Sequence, residues 1–169
     1  MTEVSHTAVI VVAGFGSVDR GDDAVGPLVA ALLAEDGVRV RDVGPLSDPL
    51  DLLGPWNGAD LAVVVDAARS GAPLGSLHVV EMDLRADAER SGGHAPNAVA
   101  NVTSTHGIGL VGVIRLARAV GQLPRRVVVV GIEGERFGYG DELSPAVRRA
   151  VPVAVERVRQ LIEEVESCV

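Results

Sequence analysis

The sequence predicts an α/β protein in which helices cover both faces of a mostly parallel sheet. Three short runs rich in β-branched residues are typical of buried strands: Val9–Ala13, Leu61–Val65 and Arg126–Ile132. Segments with a helical spacing of apolar residues alternate with these runs, as expected of a three-layer α/β/α sandwich. The chain has 169 residues and is 47% hydrophobic, which fits one domain with a single core across residues 1–169.

The first third of the chain predicts a strand, a helix and an edge strand. A helix is expected over Ala24–Ala34, after the first strand. Val38–Val43 alternates apolar and charged residues, which favours a half-exposed strand at the edge of the sheet. Ser47 is expected to cap a short helix over Asp48–Leu53, and Gly54-Pro55 is expected to end that helix.

The middle of the chain places an acid at the end of a buried strand. Leu61–Val65 is continuously apolar, and Asp66 follows it at the predicted carboxyl tip. The turn-forming stretch Arg69–Gly75 then connects to a strand over Ser76–Met82. Because this connection is short, that strand is expected to run antiparallel at a sheet edge. Arg85–Thr103 has no regular pattern and predicts a mobile loop with at most one short helical turn, a candidate lid or substrate-contact loop.

Two helices complete the predicted fold. Ser104–Gly107 opens a helix with apolar residues at helical spacing, and Gly121 closes it. Glu133–Glu142 follows the third buried strand as a glycine-rich loop. The last helix is expected to begin with Ser144 as its N-cap and Pro145 at its first position.

Composition narrows the classes of function. A net charge of −8 argues against a nucleic-acid partner, because phosphate binding needs a basic surface. The apolar runs are too short to span a bilayer, which argues against a membrane protein. The polar segment Met1–Thr7 does not resemble a signal peptide, so a cytoplasmic location is expected. Cys168 is the one cysteine, so the chain forms no internal disulfide.

Acidic residues and a histidine are predicted to meet at one edge of the sheet. Asp22 and Asp23 follow the first strand, Asp66 follows the second buried strand, and His106 opens a helix. Ligands of open α/β sheets bind outside the carboxyl ends of the strands. Carboxylates and an imidazole suit Ni²⁺, Zn²⁺, Mn²⁺ or Fe²⁺ better than Mg²⁺. Three protein ligands leave coordination positions open, as in catalytic sites.

Each of these residues also has a structural interpretation. Asp22 and Asp23 at a helix N-terminus are stabilised by the helix dipole. Asp66 fits a cap as well as a site, and His106 taken alone fits a capping region better than a functional site. The other histidines are assigned no role, except that His94 is kept as a reserve ligand.

A dinucleotide site is the weaker alternative. Gly14-Phe15-Gly16 follows a strand, but Asp19 stands where the third glycine of the dinucleotide motif belongs. The acidic pair at the following helix would repel a pyrophosphate. Asp42 is at a suitable position for a ribose-binding acid, so this alternative is retained.

The motifs of the chain resemble those of the hydrogenase maturation proteases, and the resemblance covers nearly the whole sequence. The matching segments are Gly14–Ser17, Asp22–Gly26, Val65–Ala67, Ser70-Gly71, Pro73–Gly75, Ser104–Leu110, Leu123-Pro124, Val127–Gly131 and Leu143–Pro145. The chain departs from the family at two places. Ser17 replaces an asparagine, and Gly131–Glu135 lacks the proline that usually precedes the glutamate.

The resemblance implies a fold and an activity. The family fold is a twisted five-stranded sheet flanked by helices, with one antiparallel edge strand. Its members are endopeptidases that remove a C-terminal extension from the precursor of the large subunit of nickel-iron hydrogenases. The family's metal-contacting residues correspond to Asp23, Asp66 and His106. The expected metal is nickel supplied by the precursor, with zinc as another divalent candidate.

The expected mechanism uses the metal to polarise the scissile carbonyl or to lower the pKa of an attacking water. Asp22 either orients the site or acts as a general base. A metallochaperone that grips an immature metalloprotein without cutting it would use the same ligands and is the main alternative. The expected oligomeric state is a monomer.

Overall fold

Five strands form one sheet in the computed structural model, which describes residues 7–36, 41–46, 48–84 and 107–168. The strands are β1 (Ile10–Phe15), β2 (Arg41–Leu46), β3 (Leu61–Ala68), β4 (Leu77–Glu81) and β5 (Arg126–Glu133). Their order in the sheet is β2-β1-β3-β5-β4. β1, β2, β3 and β5 are parallel, and β4 runs antiparallel to β5 at one edge. The predicted α/β class and the antiparallel edge strand are confirmed.

Helices lie on both faces of this sheet. The α-helices are α1 (Val25–Glu35), α2 (Leu53–Trp56), α3 (Gly107–Ala119) and α4 (Pro145–Glu166), and 3-10 helices span Gly21–Ala24 and Pro49–Leu52. The start of α4 is as predicted: the Ser144 side chain accepts a hydrogen bond from the Val147 amide at 3.4 Å, and Pro145 is the first helical residue. Among the described helices, none combines the length and apolarity that a membrane span requires.

The alternation of side chains along the strands divides the core in two. One cluster packs α1 and α4 against the sheet and includes Val12, Val63, Val130, Leu33 and Val158. The other packs α2 and α3 against the opposite face and includes Val11, Val64, Val129, Trp56 and Ile114. Because successive residues of a strand point to opposite faces, strands buried on both sides need continuous apolar runs.

Two predicted elements have different bounds in the structure. The described part of the edge strand, Arg41–Leu46, ends later than the predicted Val38–Val43, because its parallel pairing with β1 continues until Phe15 lies opposite Leu46. Proline is tolerated in such a strand because an edge position leaves one side unpaired. Residues 37–40 lie outside the described part of the chain, as does the predicted loop Arg85–Thr103.

The short helix after β2 was predicted wrongly at both ends. Its cap is Asp48, whose Oδ1 accepts a hydrogen bond from the Leu50 amide at 2.9 Å; Ser47 lies outside the described residues. Gly54 and Pro55 do not end the helix but lie inside α2. Pro55 falls in the first turn of α2, where an amide hydrogen has no intrahelical partner, so proline is accommodated there.

Candidate active site

The loop after β1 positions Asp23 at the carboxyl edge of the sheet, where the parallel strands end. Gly16 has a φ of 127°, in the region that favours glycine. A Cβ on Gly16 would lie 1.9 Å from the backbone oxygen of Asp23. The Ser17 amide donates a hydrogen bond to Asp23 Oδ2 at 2.8 Å. Asp23 is only partly buried, so its oriented carboxylate remains within reach of a ligand.

A close contact between α1 and the sheet brings this loop to the end of β3. A Cβ on Gly26 would lie 2.3 Å from the Phe15 carbonyl oxygen and 2.5 Å from the Val65 carbonyl oxygen. The first turn of α1 therefore lies directly against the backbone of β1 and β3, which only glycine permits. Val65 immediately precedes Asp66, and Gly26 follows Asp23 by three residues. The two acids consequently lie at the same edge of the sheet.

Asp22, the neighbour of Asp23, has the opposite environment. It is fully buried, with 0% exposure. Its Oδ2 accepts hydrogen bonds from the amides of Glu135 and Arg136 at 2.8 and 3.0 Å, and its Oδ1 accepts one from the Ser144 amide at 2.6 Å. Hydrogen bonds to an ionised acceptor are the strong ones. Asp22 thus ties the loop after β1 to the loop after β5 and to the start of α4.

One departure from the family motifs has a structural explanation in this contact. Gly134 lies in the stretch that lacks the family's proline. A Cβ on Gly134 would lie 2.8 Å from Asp22 Cβ and 3.1 Å from Phe137 Cζ. The absence of a side chain at position 134 lets the buried Asp22 carboxylate fit beneath the loop.

Asp66 lies within β3 rather than at its tip, which corrects the sequence prediction. The apolar run stops at Val65, but Ala67 and Ala68 are small and continue the pairing with β5. Asp66 is 3% exposed and pairs in register with Gly131, a residue with no side chain. The Ala67 amide donates a hydrogen bond to Asp66 Oδ1 at 2.8 Å. By strand alternation Asp66 belongs to the face that α3 covers.

His106 lies outside the described residues, as do His6 and His94, so the predicted trio is not tested by the geometry. The structure describes α3 from Gly107 onward. A Cβ on Gly109 would lie 2.7 Å from Pro49 Cγ, and Pro49 follows the carboxyl end of β2 by three residues. The first turn of α3 therefore lies at the same edge and on the same face as Asp66. Among the described residues, no three His, Cys, Asp or Glu side chains form a metal-binding group.

Glu133 is a buried acid of this edge that sequence reasoning missed. It ends β5 with 3% exposure. Its Oε1 accepts hydrogen bonds from the Ser70 and Gly71 amides, both at 2.8 Å, and its Oε2 accepts one from Ser70 Oγ at 2.9 Å. His78, one of the histidines assigned no role, lies on β4, and its Nε2 is 3.5 Å from Glu133 Oε2. One signal in the sequence could have identified Glu133, the same that identified Asp66: each is an acid directly after an apolar run.

At the opposite ends of the parallel strands, where β5 begins, the charged residues pair with one another. Arg126 donates hydrogen bonds to both carboxylate oxygens of Glu81, at 2.9 and 3.1 Å, and these lower the pKa of the Glu81 carboxyl. Arg125 lies 3.4 Å from Asp60. Glu81, Arg125 and Arg126 border an open cavity of about 360 Å³. Since its charges are mutually neutralised, this edge is the weaker candidate for a catalytic site.

Comparisons with known proteins identify the same family as the motifs of the sequence. The hydrogenase maturation protease family profile matches residues 25–161. Among similar proteins, the hydrogenase 2 maturation protease of Escherichia coli is 26% identical over 162 residues, covering 92% of this chain and 91% of that protein. The hydrogenase expression/formation protein HupM of Azotobacter chroococcum is 30% identical over 152 residues, covering 86% of this chain and 68% of that protein.

The fold is also shared with solved structures. The hydrogenase maturating endopeptidase HybD from Escherichia coli superposes with a TM-score of 0.73 at 24% identity. The superposition covers 92% of this chain and 93% of that chain. At this identity the similarity to a solved structure shows the fold alone. The family relationship rests on the sequence motifs and on the match to the family profile.

Proposed function

The chain belongs to the hydrogenase maturation protease family, and we propose that it removes a C-terminal extension from the nickel-loaded precursor of a nickel-iron hydrogenase large subunit. The observation that carries the proposal is the family match over residues 25–161. Members of this family are endopeptidases, so the chain is a hydrolase. The proposed place of the reaction is the cytoplasm, and the proposed active form is a monomer.

We assign the contact with the metal to Asp23, Asp66 and His106. The donor set fits a divalent transition ion, since it combines two carboxylates with an imidazole. Asp23 uses Oδ2 for the Ser17 amide, and coordination through Oδ1 would leave that hydrogen bond in place. Asp66 is oriented by the hydrogen bond that its Oδ1 accepts from the Ala67 amide. A divalent ion held there supplies charge that polarises a carbonyl or acidifies a water.

Nickel enters this proposal as part of the substrate. The precursor carries its nickel to the site, and the three side chains recognise it there. Recognition of the ion would align the C-terminal extension with the carboxyl edge, because the ion and the extension belong to one polypeptide. Holding a reacting group in the correct orientation contributes a large part of the rate in such reactions.

Asp22 is proposed as a positioning residue rather than as the general base. Both of its oxygens accept hydrogen bonds from backbone amides, and the side chain is fully buried. A general base must come within hydrogen-bonding distance of the proton that it removes. The Asp22 carboxylate instead holds the loop that carries Asp23, which keeps the metal-contacting acid in its orientation.

The direct test is to mix the pure protein with the nickel-loaded precursor from the same cell and to follow the precursor's C-terminus by mass spectrometry. Shortening by the wild type, with little or none by Asp23→Asn and His106→Ala, is the expected result. Glu163→Gln is the control, because Glu163 is an exposed acid on α4. An intact precursor that still binds the wild-type protein would refute the protease and favour a metallochaperone.

A further inference from the structure

The loops after β1, β3 and β5 are joined into one surface around Phe137. The Arg69 guanidinium carbon lies 4.3 Å from the centre of the Phe137 ring, a cation–π contact. Arg20 Nε donates a hydrogen bond to the Phe137 carbonyl oxygen at 3.2 Å. The Gly140 amide donates one to the Asp19 carbonyl oxygen at 2.8 Å. These contacts hold the three loops together.

Two apolar side chains on this surface are exposed. Tyr139 is 86% exposed and Val18 is 60% exposed. They are chain neighbours of the hydrogen-bonded Gly140 and Asp19, so they lie on adjoining backbone. Tyr139 is the single tyrosine of a chain whose aromatic content is 2%. Tyrosine at such a position is typical of protein interfaces, since its ring offers contact area at low entropic cost.

The surface is continuous with the candidate active site. Arg136, the neighbour of Phe137, forms two hydrogen bonds with Asp22. The Asp22 amide donates to the Arg136 carbonyl oxygen at 2.7 Å, and the Arg136 amide donates to Asp22 Oδ2 at 3.0 Å. Asp23 is the next residue along the chain. This surface therefore adjoins the loop that carries Asp23.

We propose that Val18, Arg20, Arg69 and Tyr139, here called the rim surface, bind the polypeptide segment of the precursor that flanks the cleaved bond. The proposal rests on the proposed function. Tyr139 and Val18 fit an apolar side chain of that segment. Arg20 and Arg69 are exposed and are held against Phe137, and a guanidinium in a fixed orientation favours a carboxylate partner.

The acids of the same loops do not cancel this preference. Asp141 Oδ2 accepts a hydrogen bond from the Gly138 amide at 2.8 Å, so that carboxylate is directed into its own loop. Glu142 lies 3.6 Å from Arg148 in the first turns of α4, so its carboxylate has a cationic partner there. Asp19 and Glu135 are exposed and would repel a second acidic group. The segment that fits best therefore combines one apolar residue with a single carboxylate.

The test measures binding separately from cleavage, using the nickel-loaded large-subunit precursor as the probe. Tyr139→Ala is expected to raise the Kd for the precursor about tenfold, as for a central interface residue. Arg69→Gln and Arg20→Gln are expected to raise it about threefold at low salt, with a smaller effect at high salt.

Val153→Ala and Arg149→Gln are the matched controls, since both residues are exposed on α4. Thermal unfolding of every variant checks that the fold is kept. Kd values of the rim variants equal to those of the controls would overturn the inference. If the wild type binds the precursor without cutting it, the proposed function fails, while the pattern of Kd values still decides the inference.

Discussion

Asp22 and Asp23 are identical neighbours with different tasks, and the environment of each decides its task. The Asp22 carboxylate is buried and accepts three backbone hydrogen bonds, whereas Asp23 accepts one and is partly exposed. The sequence shows two acids at a helix start but not which of them faces inward. That choice depends on the loop after β5, which follows Asp22 by more than 100 positions.

Asp22→Asn should destabilise the protein strongly. An amide side chain presents one oxygen, and its NH₂ group would face amides that are themselves donors. We expect a loss of about 2–4 kcal/mol in the free energy of unfolding, the usual result of leaving buried polar groups unpaired. Urea denaturation measures this loss. Asp19→Asn, at an exposed acid, should change stability by less than about 0.5 kcal/mol. Equal stability of the two variants would contradict the structural role of Asp22.

At the scale of elements, the packing of α1 on the sheet depends on Gly26. Gly26→Ala would place a Cβ within 2.5 Å of two backbone carbonyl oxygens, which cannot rotate away. Helix α1 would have to shift, and we expect a loss of about 2–4 kcal/mol in the free energy of unfolding. Cleavage should fall as well, because the shift moves Asp23 relative to Asp66.

The matched control for this change is Gly112→Ala in α3. A Cβ on Gly112 meets nothing within 4 Å, and the residue is exposed. Alanine is preferred over glycine inside a helix, so this variant should gain about 0.5–1 kcal/mol. Chemical denaturation of both variants decides the matter. A neutral Gly26→Ala would mean that α1 does not need its close contact with β1 and β3.

The elements differ in how far the sequence alone can predict them. β1, β3 and β5 are recognisable because strands buried on both faces leave continuous apolar runs. The cap of α4 is recognisable because Ser144 and Pro145 act locally. The extension of β3 past Asp66 was missed, because it depends on pairing with β5 rather than on local pattern. Glu133 was missed for a related reason: the three groups that donate hydrogen bonds to it belong to a distant turn, at Ser70 and Gly71.

At the scale of the whole molecule, three parallel strands and the loops that follow them share one edge. Asp23 lies in the loop after β1, Asp66 lies in β3, and β5 ends at Glu133 and leads into the loop that holds Asp22. The parallel topology thus collects acids that are far apart in sequence. In a chain with a net charge of −8, an acidic edge favours a cationic ligand, which agrees with a substrate that brings a metal ion with it.

The nickel of the precursor should therefore control cleavage. We expect the nickel-free precursor to be cut at least tenfold more slowly than the nickel-loaded precursor, which corresponds to about 1.4 kcal/mol of lost contact. The measurement is the initial rate of shortening, followed by mass spectrometry, with enzyme treated beforehand with a chelator. Adding Zn²⁺ to the enzyme should not restore the rate on nickel-free precursor, because the ion is recognised as part of the substrate.

In His106→Ala the ratio of the cleavage rates on the two precursors should shrink, since a direct contact with the ion is gone. Full-rate cleavage of the nickel-free precursor by the chelator-treated enzyme would exclude nickel as the recognised group, and restoration by Zn²⁺ would make the ion a resident catalytic metal instead.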